Sequence, residues 1–582
     1  MADVTMYPKQ LPSVEKPWMK FYSNEAKQAV LPKQTIYTYM AEANADNRNS
    51  IALNYFDRKI TYGELLDLID ACAAAFVKEG IKKGDIVAVC SATTPEMVIV
   101  LYALNKIGAA MYTLDPRRSP AEIREYVQTS SAKIFMLLDV AYDRFAGVLP
   151  DLNVEKVVIT SLSTFVPFVV RTLMRFKMPP PRIAYAENVI TWNEFMSAGV
   201  GIYPDPVAYE ENALVAVVLT GGTTGTPKGV MLSNDGFNSV ALALSYAMEC
   251  GTAETLDTRH PFLNVIPIFT SYGIVGSLHA PLSRGLEVIL IPKVEPDKMG
   301  HYIKKYKPGY TMLVPAFYEK LLASKEMRGN FDLSFISAAG SGGDTMTVGL
   351  ETKINDFLAE HGCRYPLSQG YGMSEVSSAV SANVGMNFKS LSVGYPLLAT
   401  DIGIFNPGTT EELGYGEEGE VCIAGPSIML GYFKNPEETE KVMIPHEDGR
   451  IWVHSGDLGV LDEDGFLFIK GRIKRMITRF DGHKVFPVQM EGLLSGVDNV
   501  RSCAVVGVKD PDHDMGQLPL AVISLEDTSL AAQAKAEITQ LVLDSVEERG
   551  RPCDILFVDE MPYTSMGKID YAKLTRYYER LH

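Results

Sequence analysis

The chain has 582 residues, 47% of them apolar and 21% charged, with a formal net charge of −17. A single core rarely serves more than roughly 250–300 residues, so two to four structural units are expected, and the apolar content excludes a disordered chain. The acidic balance excludes a general nucleic-acid binder, which needs a basic footprint to displace phosphate counterions; an anionic ligand would have to be met by local cations and backbone amides.

In chain order, 60–80 reads as a helix with Thr61 and Glu64 in capping-box spacing, 85–90 (DIVAVC) as a short buried strand, 95–107 as a helix and 133–138 as a strand. Segment 162–181, LSTFVPFVVRTLMRFKMPPP, mixes Phe165, Phe168, Val169, Val170, Leu173, Met174 and Phe176 with Arg171, Arg175 and Lys177. That is the composition of an interfacial helix, or of a surface helix packed on its own domain. Strands are expected at 213–219, 286–291 and 310–314, and this βα rhythm implies mostly parallel sheets covered by helices. Between 392 and 471 glycines multiply and strands become short and hairpin-like, which marks a β-rich subdomain. A basic run, GRIKRMITR, follows, then strands at 500–508 and 519–525 and a helix at 531–548. The expected fold is therefore α/β: a large N-terminal domain (1–471) of stacked βα sheets with its β-rich part at 392–471, and a small α+β C-terminal domain (472–582).

Seven cysteines, Cys72, Cys90, Cys250, Cys363, Cys422, Cys503 and Cys553, are scattered without a CxxC pair, so neither a disulfide framework nor a zinc site is expected. No apolar stretch of membrane-spanning length occurs and the first residues lack a signal-peptide core. A cytoplasmic location is expected, with peripheral contact at the inner face of the membrane left open by 162–181.

The densest chemistry lies at 219–230, LTGGTTGTPKGV. Glycines let backbone amides close on an anion, threonine hydroxyls add donors and Lys228 adds charge, so the loop is suited to polyphosphate. It is not a Walker loop, because Pro227 stands where that motif requires glycine.

This segment resembles the phosphate loop of the adenylate-forming, AMP-binding superfamily, and further motifs follow in that family's order from about residue 33 to 574. The resemblance implies that Thr220, Gly221, Gly222, Thr223, Thr224, Gly225 and Lys228 hold the phosphates, with Thr223 in a catalytic role. Gly221 stands where the family usually has serine, which removes one donor. Ser341, Gly342 and Gly343, in AAGSGGDTM, resemble the turn beside adenine. In SQGYGMSE the resemblance assigns Gln369, Gly370, Tyr371, Gly372 and Ser374 to the nucleotide and Glu375 to Mg²⁺. Segment 419–432, GEVCIAGPSIMLGY, matches a signature that is mainly structural and is assigned no chemistry. Asp457 in HSGD is placed on the ribose hydroxyls, which a carboxylate can accept from, together with Arg472. Lys474 sits at the hinge near 472–474. Gly482, His483 and Lys484 resemble the loop that lines a coenzyme A channel, and Lys568 in PYTSMGKI resembles the catalytic lysine.

Phe269, Thr270, Tyr272, Phe317 and Ala339 are expected in the acyl pocket or its gate. Thr270 stands where the family has a gating histidine, and threonine cannot change charge near neutral pH. The activity implied is an ATP-dependent acyl-CoA synthetase with ATP, Mg²⁺ and coenzyme A. Its expected acid is a medium- or long-chain fatty acid, since KPWMKFYS and the 162–181 insert resemble bacterial long-chain enzymes. An acyl-AMP ligase loading a carrier protein, an aryl-acid CoA ligase and a noncatalytic nucleotide-binding protein are the alternatives. Monomer and homodimer are both compatible with the sequence.

Overall fold

The strands Ile86–Cys90, Ala110–Leu114 and Ile134–Leu138 are almost wholly apolar, because both faces of the sheet they build are covered. The computed structural model describes residues 10–177, 179, 181–185, 187–220, 227–252, 257–329, 331–513, 515–563 and 569–579. Within these, an eight-stranded, largely parallel sheet contains those three strands, and a nine-stranded sheet contains Phe262–Asn264, Val288–Leu290, Tyr310–Leu313, Ala338–Ser341 and Ser368–Met373. The main hydrophobic core takes side chains from both sheets and from the helices Tyr62–Lys78, Pro95–Lys106 and Asn234–Thr252. Two further cores lie against the opposite faces of the sheets, giving an αβαβα stack. Every residue of Pro95–Lys106 is buried, as a helix sandwiched between two sheets must be.

A five-stranded antiparallel sheet spans Asp401–Phe405 to Leu467–Arg472. The β-rich region thus begins later than the glycine pattern suggested. Tyr395–Pro396 still pairs with Ser378–Ala382 in the nine-stranded sheet. The last part of the chain folds a three-stranded sheet with Pro487–Leu494, Ala531–Ser545 and Tyr571–Glu579 around its own core. The molecule is α/β with a small α+β C-terminal domain.

The helix expected from residue 60 starts at Tyr62. Arg58–Thr61 forms a hairpin with Ile51–Tyr55, and Thr61 ends the strand while its hydroxyl accepts from the Glu64 N–H at 3.1 Å. One residue therefore closes one element and caps the next.

The segment Tyr272–His279 is π-helical, a form that concentrates at functional sites. It begins where Gly273 passes so close to Pro267 that a Cβ would lie 2.1 Å from the carbonyl oxygen. At its other end His279 is fully buried between the Tyr102 hydroxyl (3.0 Å from Nδ1) and Asn238 Oδ1 (3.0 Å from Nε2). Burial lowers the imidazole to about 3. The unfolded chain therefore takes up a proton below pH 6.5 that the folded one refuses, and this part of the stability is lost as pH falls from there towards 3. Glu96, raised by burial to about 7, titrates with the opposite sign over part of that range. His279→Gln is accordingly expected to recover about 1.4 kcal/mol per pH unit relative to wild type between pH 6 and 5 in chemical denaturation. Parallel pH profiles for the two proteins would count against a neutral buried imidazole.

Candidate active site

Leu214–Leu219 and Gly229–Ser233 form an antiparallel hairpin, and 220–228 is its connection. The neck is closed by the Thr220 N–H donating to the Lys228 carbonyl (2.9 Å) and the Lys228 N–H donating to Thr220 Oγ1 (3.0 Å). Gly221, Gly222, Thr223, Thr224 and Gly225 lie outside the described residues, as does Lys568. The Lys228 ammonium sits 4.8 Å from the centre of the Tyr432 ring and pairs with Glu438, whose carboxyl is held down at about 2 by Lys228 and Lys441.

Ser368–Met373 runs beside Ala338–Ser341 and returns as Ser378–Ala382. Gly372 is required by that return, since a Cβ there would lie 1.7 Å from the Ser378 oxygen. The Tyr371 hydroxyl donates to Asp457 Oδ2 at 2.7 Å, and Arg472 Nε pairs with Asp457 Oδ1 at 3.0 Å. Asp457 is buried, and it lies directly opposite Arg472 across two paired strands. Burial, and then the Asp457 charge, push the Tyr371 phenol up, while Asp457 is the main cause holding the Arg472 guanidinium protonated. Glu375, also buried, accepts from the Tyr432 hydroxyl at 2.8 Å, which puts Tyr432 of the supposedly structural 419–432 segment into the site. Ser374 Oγ accepts from Ser271 Oγ at 3.1 Å.

A cavity of about 180 Å³ opens beside this cluster. Ser341, Gly342, Gly343, Gly370, Tyr371 and Gly372 line the end next to the Tyr371–Asp457 contact, and Tyr272, Met248, Met312 and Ala338 line its walls. Gln369 is placed elsewhere. Side chains alternate along a strand, and Gln369 is buried on the other face towards Glu351.

Of the five residues expected in the acyl pocket, Tyr272 lines the cavity, its hydroxyl donating to the Leu313 carbonyl at 3.2 Å. Thr270 instead lies in the turn that precedes the π-helical segment. Its hydroxyl donates to the Pro267 carbonyl (2.8 Å) and accepts from the Gly273 N–H (3.1 Å), so both functions are spent on the backbone. The Phe269 ring is packed in the main core with the Arg117 guanidinium 5.5 Å away. Phe317 and Ala339 belong to the second core, on the opposite face of the sheet. Ala338 and Gly340 take the pocket-facing positions expected of Ala339, by strand alternation.

Beyond the five-stranded sheet, Ile473–Arg475 is a single 3₁₀ turn that contains Lys474. Next to it Arg475 pairs with Glu491 (2.6 Å) and lies 3.6 Å over the Tyr571 ring. Tyr563 and Ile569 bridge across the segment that holds Lys568, and the Asp344 charge reaches Tyr563 and Tyr571. Gly482, His483 and Lys484 lie in the hairpin of Ile477–Thr478 and Lys484–Val485. This hairpin packs on its own domain, with His483 Nε2 2.8 Å from Glu547 and Phe480 stacked on His513 at 3.5 Å.

The AMP-binding enzyme family matches residues 40–433, and the C-terminal domain of AMP-binding enzymes matches 489–568. The chain belongs to the AMP-binding enzymes. As a member of that family it is 28% identical over 568 residues to a long-chain-fatty-acid–CoA ligase of Bacillus subtilis (strain 168), covering 95% of this chain and 97% of that one. It is 29% identical over 543 residues to 4-coumarate–CoA ligase-like 9 of Oryza sativa subsp. japonica, covering 91% and 89%. Among solved structures, the anthranilate CoA ligase AuaEII in complex with anthranoyl-AMP has the same fold, with a TM-score of 0.79 at 21% identity over 96% of this chain and 99% of that one.

In this AMP-binding enzyme the donor set fits Mg²⁺, a hard cation that takes one or two carboxylates besides phosphate oxygens. Glu375 supplies a buried carboxylate oriented through one oxygen by Tyr432. Residues that sequence reasoning passed over, Tyr432, Glu438 and Ser271, act through partners 57, 210 and 103 positions away, a separation with no local signal. A phosphate drawing on Lys228 would compete with the Glu438 carboxylate for the same ammonium. Glu438→Gln is therefore expected to lower the Kd for ATP by roughly twofold to fivefold in calorimetry, since solvent screens a competing exposed pair of this kind. An unchanged Kd would mean that Lys228 does not exchange Glu438 for phosphate.

Proposed function

We propose that this AMP-binding enzyme is an AMP-forming acid–thiol ligase that joins an aliphatic carboxylic acid of medium to long chain to coenzyme A. The observation that carries the reading is a single one: an apolar cavity opens directly onto the Gly342–Gly343 turn beside the Tyr371–Asp457–Arg472 cluster. A nucleotide whose ribose hydroxyls replace the Tyr371 and Arg472 contacts on Asp457 would present its α-phosphate at the mouth of that cavity. The cavity, at about 180 Å³, is smaller than the roughly 300–1,000 Å³ of many ligand sites, which favours the shorter end of the chain range.

In the first step a carboxylate oxygen attacks the α-phosphorus and pyrophosphate leaves. In the second the thiol sulfur attacks the acyl carbon and AMP leaves, the thiol proton passing to solvent. Both partners of the first step are anions, so the barrier is largely electrostatic, and positioned cations in a site closed to water lower it. Lys568 is assigned to bridge the acid oxygen and the α-phosphate, Lys228 and the 220–225 loop to hold the departing pyrophosphate, and Arg472 to hold the ribose. Mg²⁺ on Glu375 would add Lewis acidity at the phosphates. For the second step the domain after 472 is assigned to turn about Lys474, withdrawing Lys568 and presenting the Gly482–Lys484 hairpin to the pantetheine arm; such gating by a small domain is common in multistep enzymes.

The class is tested by incubating the protein with ATP, Mg²⁺, coenzyme A and carboxylic acids of graded length, aryl acids included. AMP with an acyl-CoA is the expected product pair. AMP or acyl-adenylate without thioester would shift the acceptor to a carrier protein, and ADP would overturn the phosphate chemistry. Lys568→Ala is expected to slow adenylate formation by about 10²–10³-fold, the effect of removing one positioned charge stabiliser. Thioester formation from supplied acyl-adenylate should persist within a few fold. Equal loss of both steps would overturn the two-position scheme.

The amphipathic helix Phe168–Lys177 supports peripheral contact with an anionic lipid surface. Phe168, Val169, Leu173 and Phe176 are 79%, 68%, 57% and 84% exposed, while Val170 and Met174 pack against the main core. The sequence adds Arg171, Arg175 and Lys177 to the same helix. No described helix is long and apolar enough to cross a membrane. Wild-type protein is expected to cosediment with phosphatidylglycerol vesicles, and the double variant Phe168→Ser, Phe176→Ser to lose at least tenfold in partitioning, of the order that burying two such rings provides. Equal cosedimentation of the two would remove this helix from any lipid contact.

A further inference from the structure

The cavity that begins at Gly342 and Gly343 has a cation at its other end. Tyr310 pairs with Ala338 and Met312 with Gly340 in parallel register, so these four residues share the sheet face that walls the cavity. From Ser341 at the nucleotide end to Ala338 is three strand steps, on the order of 10 Å. Beyond Ala338 and Tyr310 the wall is completed by Phe262, Leu286 and Arg284.

Arg284 stands in the turn after Ala280–Leu282, its N–H donating to the Pro281 carbonyl at 3.1 Å. Its Nε is buried with no hydrogen-bond partner. Among the described residues no carboxylate forms an ion pair with it; the titratable group beside it is Tyr39, whose phenol burial pushes up and the Arg284 charge draws partly back. A guanidinium stays charged at any working pH and carries five donors in a planar fork. Ending a hydrocarbon chain against it would strip water from those donors and return nothing. A carboxylate there would accept two parallel N–H bonds and neutralise the charge.

We propose that Arg284 receives the distal carboxylate of an α,ω-dicarboxylic acid of medium length, the proximal carboxylate lying at the Gly342–Gly343 turn for adenylation. This rests on the reading of the cavity as the acyl site and narrows the substrate to acids with an anion at both ends. Arg284 is then a specificity residue, remote from the reacting atoms.

The test compares kcat/KM for AMP release with straight-chain monocarboxylic and α,ω-dicarboxylic acids of matched carbon number, in wild type and in Arg284→Met. Wild type is expected to favour the diacid on the order of tenfold to a hundredfold at its best length, the range for a hydrogen-bonded charge pair. Arg284→Met should reverse the preference by losing the diacid and gaining on the monoacid, a gain that also shows the variant is folded. Arg284→Lys, which keeps the charge without the fork, should fall between. A wild type that prefers the monoacid at every length overturns the role of Arg284 while leaving the acyl-CoA synthetase reading intact, and needs no variant. A variant with an unchanged ratio overturns it equally. AMP release with none of the acids, aryl acids included, would instead overturn the underlying reading and this inference with it.

Discussion

The carboxylate of Asp457 is the point on which the site depends. Tyr371 reaches it from the nine-stranded sheet, Arg472 from the last strand of the five-stranded sheet, and Asp457 itself sits mid-strand between them. One buried acceptor therefore ties the large α/β stack to the β-rich subdomain one residue before the 3₁₀ turn that leads to the small domain. A buried carboxylate is costly unless its lone pairs are taken. Here a phenol and a guanidinium take them. In the proposed function, the stability of the junction and the recognition of a nucleotide would draw on the same atoms.

The cavity owes its place to the same architecture. A helix layer sealed between two sheets would ordinarily be solid. Next to it, Gly340, Gly342, Gly370 and Gly372 remove side-chain volume along two neighbouring interior strands of the nine-stranded sheet, and Gly273 lets the π-helical segment start hard against Pro267. The space left is lined mostly by apolar residues and continuous with the Gly342–Gly343 turn. Thr270, with its hydroxyl bonded to Pro267 and Gly273, holds the turn that leads into this segment.

Much of the frame was legible because it rests on local patterns. Strands at 86–90, 134–138 and 214–219 are runs of β-branched and apolar residues between turn signals, and Thr61 with Glu64 marked a helix start to within a residue or two. The pocket was less legible. Ala339 lies one residue from two cavity-lining positions, and strand register alone separates pocket from core. Tyr432 was read as structural because nothing within its own segment points to Glu375, 57 residues earlier.

By itself the sequence determined the family and the αβ rhythm, because each rests on properties of neighbouring residues: a motif that needs glycine in the backbone, a periodicity, a run of apolar residues between turns. Only the tertiary structure decided which side chains face the cavity, that Thr270 serves the backbone, that Glu438 holds Lys228, and that Arg284 lines the cavity. Those are contacts between segments tens to hundreds of residues apart, set by strand pairing and by how layers stack, and no local pattern encodes them.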